Sequence, residues 1–338
     1  MTLPRLLARL EVTNAQGLFD SQAMTSGDSL TVPRISWTVT KTLDPTANTA
    51  EIRIYNLSQE TVDLITGTVR VRTEWTALEK LELLSFGASA APIETIYDNF
   101  GLGSVRLAWG YEGANPNTAF PPMSIGFIGC SSNMTVESDG LDSVLVIKAE
   151  DAGQLLAAGR LQKSYRAGTD TVDILVDLIN AVGIGVDRAR LAAAMQSALI
   201  ARGIPVGKLS QLRGYNAGTA PAAQLIKAVM DGLDLRWSVQ DGQFLLLDTN
   251  TVLAGYEPIV LSGAAGTLFG NPERLSAQEM RATTWATAEV RPGREVLIVG
   301  AGVTAQYRVD RVQHTGDVYT GGQSTPTLGA IQTIAGVF

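Results

Sequence analysis

The residues most suggestive of chemistry lie near the C-terminal end of the sequence. Val296-Leu-Ile-Val-Gly300-Ala-Gly302-Val-Thr-Ala305 reads G-x-G-x-x-A after an apolar run. That spacing lets a tight turn bring backbone N–H groups against a pyrophosphate at a helix N-terminus. The activity it would serve is that of an NAD(P)-dependent oxidoreductase. The mechanism needs a helix directly after the glycines, inside a unit of roughly 30 residues or more. The residues after the glycines alternate instead: Thr304, Gln306, Arg308 and Asp310 fall between Val303, Ala305, Tyr307 and Val309. Period two is a strand, so the glycines are expected to turn a hairpin. Too little chain remains beyond them for the second half of a nucleotide fold.

The other chemical candidates are weaker. Gly263-Ala-Ala-Gly266 is a glycine loop without the lysine of a phosphate-binding loop, and reads as a turn. His314, the one histidine, stands near Asp317 in sequence and could suggest a general base. No serine or cysteine nucleophile is identifiable for it, and one histidine cannot build a His-rich metal site. A histidine bonded locally at a strand end is the better reading. Cys130 closes an apolar strand, where it fits a small buried hydrophobe. Asp139 and Asp142 sit in a turn and are expected to be solvated. No catalytic residue, cofactor-binding residue or metal ligand is expected, no cofactor is implied, and the chain is read as not an enzyme.

Composition sets the frame around those residues. The chain has 338 residues, 45% hydrophobic and 17% charged, which describes a folded chain of two or three domains. No apolar run approaches the ~20 residues that span a bilayer, and MTLPRLLARLEV lacks the apolar core of a signal peptide. A single cysteine fits a reducing compartment. The net charge of −7, with no Lys/Arg cluster, argues against stable nucleic-acid binding.

The element that organises the chain is Thr49–Leu64, TAEIRIYNLSQETVDL. Glu51, Arg53 and Tyr55 project to one side of a strand and Ala50, Ile52, Ile54 and Asn56 to the other. The strand ends at Asn56-Leu57-Ser58, where Ser58 can cap a short helix with Glu60 in its first turn. Leu6–Val12 reads as a strand, although LARLEV could also begin a helix, and Ser36–Thr40 alternates clearly. Ser104–Trp109 comes later and ends in Gly110-Tyr111, then Ser124–Gly129 (SIGFIG) and a ribbon to Glu150-Asp151. Glu74–Leu84 has Trp75, Leu78 and Leu81 at helical spacing and reads as part of an insertion at about 66–103.

From Asp151 strands alternate with helices. Thr169–Val182, Asp187–Arg202 and Pro221–Gly232 carry helical apolar stripes, the first behind a Thr/Asp cap. Asp241-Gly242 joins Leu235–Val239 to Phe244–Asp248 as a two-residue hairpin turn. Tyr165-Arg-Ala-Gly-Thr169 recurs as Tyr215-Asn-Ala-Gly-Thr219, each before a helix, with the threonine expected as cap. Ile259–Leu261, Glu279–Thr284, Glu295–Val299 and Gln306–Val312 return the chain to strands. The expected fold class is mainly β with an α+β middle: residues 1–150 and 251–338 as two β-barrel domains of similar fold, separated by an α+β domain at 151–250.

The order "strand, YNLS turn, short helix, strand ending in GY, then F-x-G" resembles the first barrel of phage tail and baseplate hub proteins. These are of the late control protein D type, related to contractile-tail hubs and type VI secretion spikes. LSGAAGTLFGNP, RPGREVLI and YRVDRVQHTGD resemble the last barrel of the same family. The resemblance covers Thr49–Leu64 and Ser104–Asp317. It implies a structural virion protein of the tail tip or baseplate, assembled in the host cytoplasm. A homotrimer would join a six-fold tail tube or distal tail protein to a three-fold central spike or fibre protein. It would line the DNA exit channel, with the tape measure protein as a further partner. The rival readings are the oxidoreductase and a surface carbohydrate-binding module on the β-rich ends, which few aromatic clusters support.

Overall fold

The computed structural model describes residues 5–14, 17–21, 33–66, 104–112, 123–151, 159–160, 163–201, 215–216, 220–233, 235–247, 252–253, 255–300 and 303–330. The expected insertion, with its helical Glu74–Leu84 stretch, lies outside them from residue 67 onward.

The N-terminal part contributes β1 (Leu6–Asn14), β2 (Gly17–Asp20), β3 (Ile35–Thr42), β4 (Asn48–Tyr55), α1 (Gln59–Thr66), β5 (Ser104–Tyr111), β6 (Ser124–Asp139) and β7 (Asp142–Asp151). On β4 the buried residues are Asn48, Ala50, Ile52 and Ile54, the parity read from the sequence, while Asn56, just past the strand, is exposed. Asn56 takes the positive φ of 56° that ends the strand, and the Ser58 hydroxyl accepts from the Thr61 N–H to cap α1. Two glycines make room for the largest rings of this core. A Cβ on Gly126 would lie 1.9 Å from the Trp109 ring, and one on Gly316 would lie 2.2 Å from the Trp37 ring.

The middle part holds β8 (Ser164–Tyr165), α2 (Thr171–Ala181), α3 (Arg188–Ala201), β9 (Tyr215–Asn216), α4 (Ala222–Leu233), β10 (Arg236–Gln240) and β11 (Gln243–Leu247). Leu175 and Ile179 of α2, Met195 of α3, Ile226 and Met230 of α4, and Trp237 of β10 share one buried cluster. The residue capping α2 is Asp170, whose carboxylate accepts from the Val172 N–H at 2.9 Å. Of the Thr/Asp pair expected to cap this helix it is thus the aspartate that does so, while Thr169 bonds the Arg166 carbonyl in the turn before it. The two repeated segments meet at their opening tyrosines, Tyr165 opposite Tyr215 across β8 and β9, and Thr219, the other expected cap, lies outside the described residues. Asp241 and Gly242 have φ of 51° and 72°, the mirror-image turn that an Asp-Gly pair adopts readily.

The C-terminal part consists of β12 (Ile259–Ser262), β13 (Glu273–Arg274), β14 (Glu279–Arg281), β15 (Thr284–Trp285), β16 (Glu295–Gly300), β17 (Val303–Asp317) and β18 (Gly321–Ala330). The mainly-β class is therefore observed. The strands of the two β-rich ends are joined to each other. Their strands form one hydrogen-bonded path, β13-β14-β18-β17-β3-β4-β7-β6-β5-β1-β2, with β15 on β18 and β12 on β16 beside β17. The physical reason is the length of β17. Its first half pairs with β16, the register shifts between Val309 and Arg311, and its second half pairs with β3 from Arg311↔Thr42 to Asp317↔Ser36. A bulge bends a strand and re-aims it, so one strand serves both ends. The cores stay distinct: Leu10, Trp37, Ile52, Trp109 and Phe127 belong to one, and Leu261, Val296, Ile298 and Leu328 to another. The ends are thus one continuous ladder laid over separate cores.

Candidate functional site

Gly300 pairs with Val303 at the end of the β16–β17 ladder. The chain after the glycines is thus the strand the alternation required, and no helix N-terminus faces a would-be pyrophosphate. Gly302 itself lies outside the described residues. The Gly263–Gly266 loop is a turn closed by the Gly266 N–H on the Gly263 carbonyl.

His314 departs from its expected surroundings. It lies on β17 three residues from Asp317, hence on the other face, and Asp317 is held by Arg34 at 2.7 Å. A serine partner does exist: His314 Nδ1 is 2.7 Å from Ser324 Oγ on the neighbouring β18. The sequence reading ends this strand at Val312, which leaves residue 314 without a cross-strand neighbour and hides the pair. The pair is sealed, with His314 1% and Ser324 0% exposed. Ser324 Oγ is further engaged by the Thr287 N–H at 3.0 Å, and the Trp109 ring packs on the imidazole at 5.1 Å. Burial, followed by the nearby Lys41 charge, drives the His314 pKa down to about 3. The imidazole is neutral, and no substrate reaches it.

Cys130 is buried and donates its S–H to the Glu150 carbonyl at 3.6 Å. Burial, with Glu150 and Asp151 nearby, pushes its thiol up to about 12, which keeps it a thiol rather than a nucleophilic thiolate. Asp142 is less free than its turn suggested, since its carboxylate accepts from the Asn56 amide at 2.8 Å. An open polar cleft of about 350 Å³, lined by Ser36, Glu51, Arg53, Thr315 and Asp317, has its charges already paired as Arg53–Glu51 and Arg34–Asp317. Among the described residues no three His, Cys, Asp or Glu side chains gather as a metal would require. No helix there is long and apolar enough to cross a membrane.

The densest polar cluster lies where the middle part meets the sheet, and no motif in the sequence announces it. Lys41, 2% exposed at the end of β3, reaches both carboxylate oxygens of Asp241 at 2.7 and 2.8 Å. Asp241 is the first residue of the β10–β11 turn, so the pair fastens the hairpin tip to the sheet. Asp151, at the end of β7 and 1% exposed, accepts from the backbone N–H groups of Asp241 at 2.6 Å and Gly242 at 3.0 Å. Asn48 donates to the Val239 carbonyl at 2.7 Å, and the Gln240 amide donates to the Thr42 carbonyl at the same distance. Burial, then the adjoining Asp241 charge, raises the Asp151 pKa to about 7. The cluster is enclosed and satisfied, which gives it a clamping role and no room for a reactant.

No protein-family model matches the chain, and no curated protein does. Solved structures do match in fold. The 43 kDa tail protein of prophage MuSo2 from Shewanella oneidensis superposes with a TM-score of 0.56 and 7% identity, covering 96% of this chain and 98% of that one. The tail protein from Neisseria meningitidis MC58 gives 0.52 and 9%, over 95% and 96%. The chain therefore has the fold of these tail proteins along nearly its whole length.

Proposed function

We propose that this protein is a structural component of a phage tail or tail-like particle. In this reading it is a homotrimeric hub at the distal end, placed between the tail tube or distal tail protein and a central spike or fibre protein. The observation that carries the reading is the end-to-end likeness to two tail proteins, each covered over more than nine-tenths of its length. A shared fold hosts many functions, so the state of the residues matters as well. The His314–Ser324 pair is sealed in the core, Cys130 is buried, and Gly300 ends a strand that pairs with the one beginning at Val303. Each has a packing role, as expected of a protein whose task is to hold a shape rather than turn over a substrate. It is expected to be built into virions in the host cytoplasm, beside the DNA path, without holding nucleic acid.

The test is to tag the protein in producing cells, purify particles and image the label by electron microscopy. Label at the distal end of the tail supports the hub role. Label along the tube, on the head, or absent from particles overturns it. Light scattering of the purified chain tests the trimer independently.

A further inference from the structure

Arg291-Pro292-Gly293-Arg294 forms a tight turn, with the Arg294 N–H bonded to the Arg291 carbonyl at 3.1 Å and Gly293 at φ 86°. Proline at the second position and glycine at the third are what such a turn requires, and it brings both arginines to one aromatic ring. Both lie over the ring of Tyr256, with centroid distances of 5.1 Å for Arg291 and 4.6 Å for Arg294. Arg294 is 8% exposed, and its Nη2 bonds the Glu257 carbonyl at 2.9 Å. The Nε atoms of both arginines are buried without an acceptor, and neither arginine forms an ion pair with a described residue. Burial and then the Arg291 charge lower the Arg294 pKa. Two neighbouring cations, Arg294 buried and Arg291 partly so, have the charge of Glu289 nearby but no ion pair among the described residues, and such a pair is costly, which is the state expected of a receiving site before its anion arrives.

At the opposite end of the same sheet is a complementary feature. The β6–β7 hairpin extends past the last β4–β7 pair, Tyr55↔Val144. Its tip carries Glu137 and Asp139, with Leu141 fully exposed and Val136 more than half exposed. Val309, bonded to Arg294, and Asp317, level with Arg53 and Val146, mark the span between the two features. At ~3.3 Å per residue it is on the order of 30 Å or more. One chain cannot fill its own site with this tip.

We infer that Arg291, Arg294 and Tyr256 receive the acidic β6–β7 hairpin tip of a second copy of this chain, in a head-to-tail contact. Glu137 or Asp139 supplies the carboxylate, and Leu141 packs beside the half-exposed Tyr256. A contact between two different patches of identical chains closes into a ring when its rotation permits. The inference rests on the trimeric hub reading and says which surfaces would close it.

The test is sedimentation velocity on the full chain, comparing wild type, Arg291→Glu, Asp139→Arg and the double variant. Each single reversal is expected to weaken association at least ~10-fold, and the double to bring it back to within about threefold, since charge pairs across such contacts couple. Arg291→Gln serves as the milder variant, with unchanged thermal unfolding as the check that each chain folds. A trimer indifferent to all these changes overturns the inference and leaves the hub reading standing. A wild-type monomer at high concentration overturns both. Tight binding of a short DNA duplex that is lost in Arg291→Glu, with association unchanged, overturns it too, because the pair would then read phosphate.

Discussion

Two buried titratable groups set the pH response, and they act in opposite directions. The His314 pKa is lowered to about 3, so the unfolded chain takes up a proton near pH 6.5 that the folded chain refuses. Its contribution is complete above pH 6.5 and declines as pH falls toward 3; by pH 5 about 2 kcal/mol is gone. The Asp151 pKa is raised to about 7, so the folded chain holds a proton that the unfolded chain has released. That contribution is complete below about pH 4 and is lost as pH rises through 7. Between pH 4 and 6.5 the two contributions oppose each other. Urea unfolding at several pH values should therefore vary little in the wild type over that range. His314→Gln should become more stable as pH falls from 7 to 4, and Asp151→Asn should lose stability over the same interval. Parallel pH profiles for wild type and both variants would show that neither group is perturbed as the geometry implies.

At the level of elements, the clamp between the β10–β11 hairpin and the sheet depends on Lys41. Lys41→Met keeps the aliphatic stem but leaves Asp241 and Asp151 facing each other without a cation. A loss of ~3–5 kcal/mol is expected, as for a broken buried pair, with faster amide exchange concentrated in residues 236–247. Exchange unchanged there would mean that apolar packing alone holds the hairpin. Gly316→Ala is expected to cost about 1–3 kcal/mol by overpacking against Trp37, read as a lower unfolding midpoint. These elements differ in how far the sequence discloses them. The parity of β4, the stripe of α2 and the Asp-Gly turn are legible because each depends on neighbours a few residues away. Lys41 and Asp241 are 200 residues apart, so a lysine at the end of SWTVTKT gives no hint of burial. Arg291 and Arg294 are visible as a Pro-Gly turn, but that neither forms an ion pair among the described residues emerges only from the fold. The length of β17 is hard to read because Gly316 resembles a turn glycine, when its role is to leave space for a tryptophan.

For the whole molecule, the acidic balance predicts little affinity for nucleic acid. The chain should show no retention by duplex DNA at physiological salt, and appreciable binding with a steep salt slope would oppose the proposed place beside a DNA path. The sharing of β17 has a consequence for how the molecule comes into being. Strand β3 leaves the ribosome early, yet its partner residues 311–317 lie more than 260 positions later. At ~5–20 residues per second, the β3 edge waits on the order of tens of seconds with its hydrogen-bonding groups unclaimed. Arg34 waits as long for Asp317. The N-terminal sheet is thus finished by a segment made long after it. Nascent chains halted before residue 303 should collect in aggregates and bind chaperones that recognise open strand edges, while full-length chains are released.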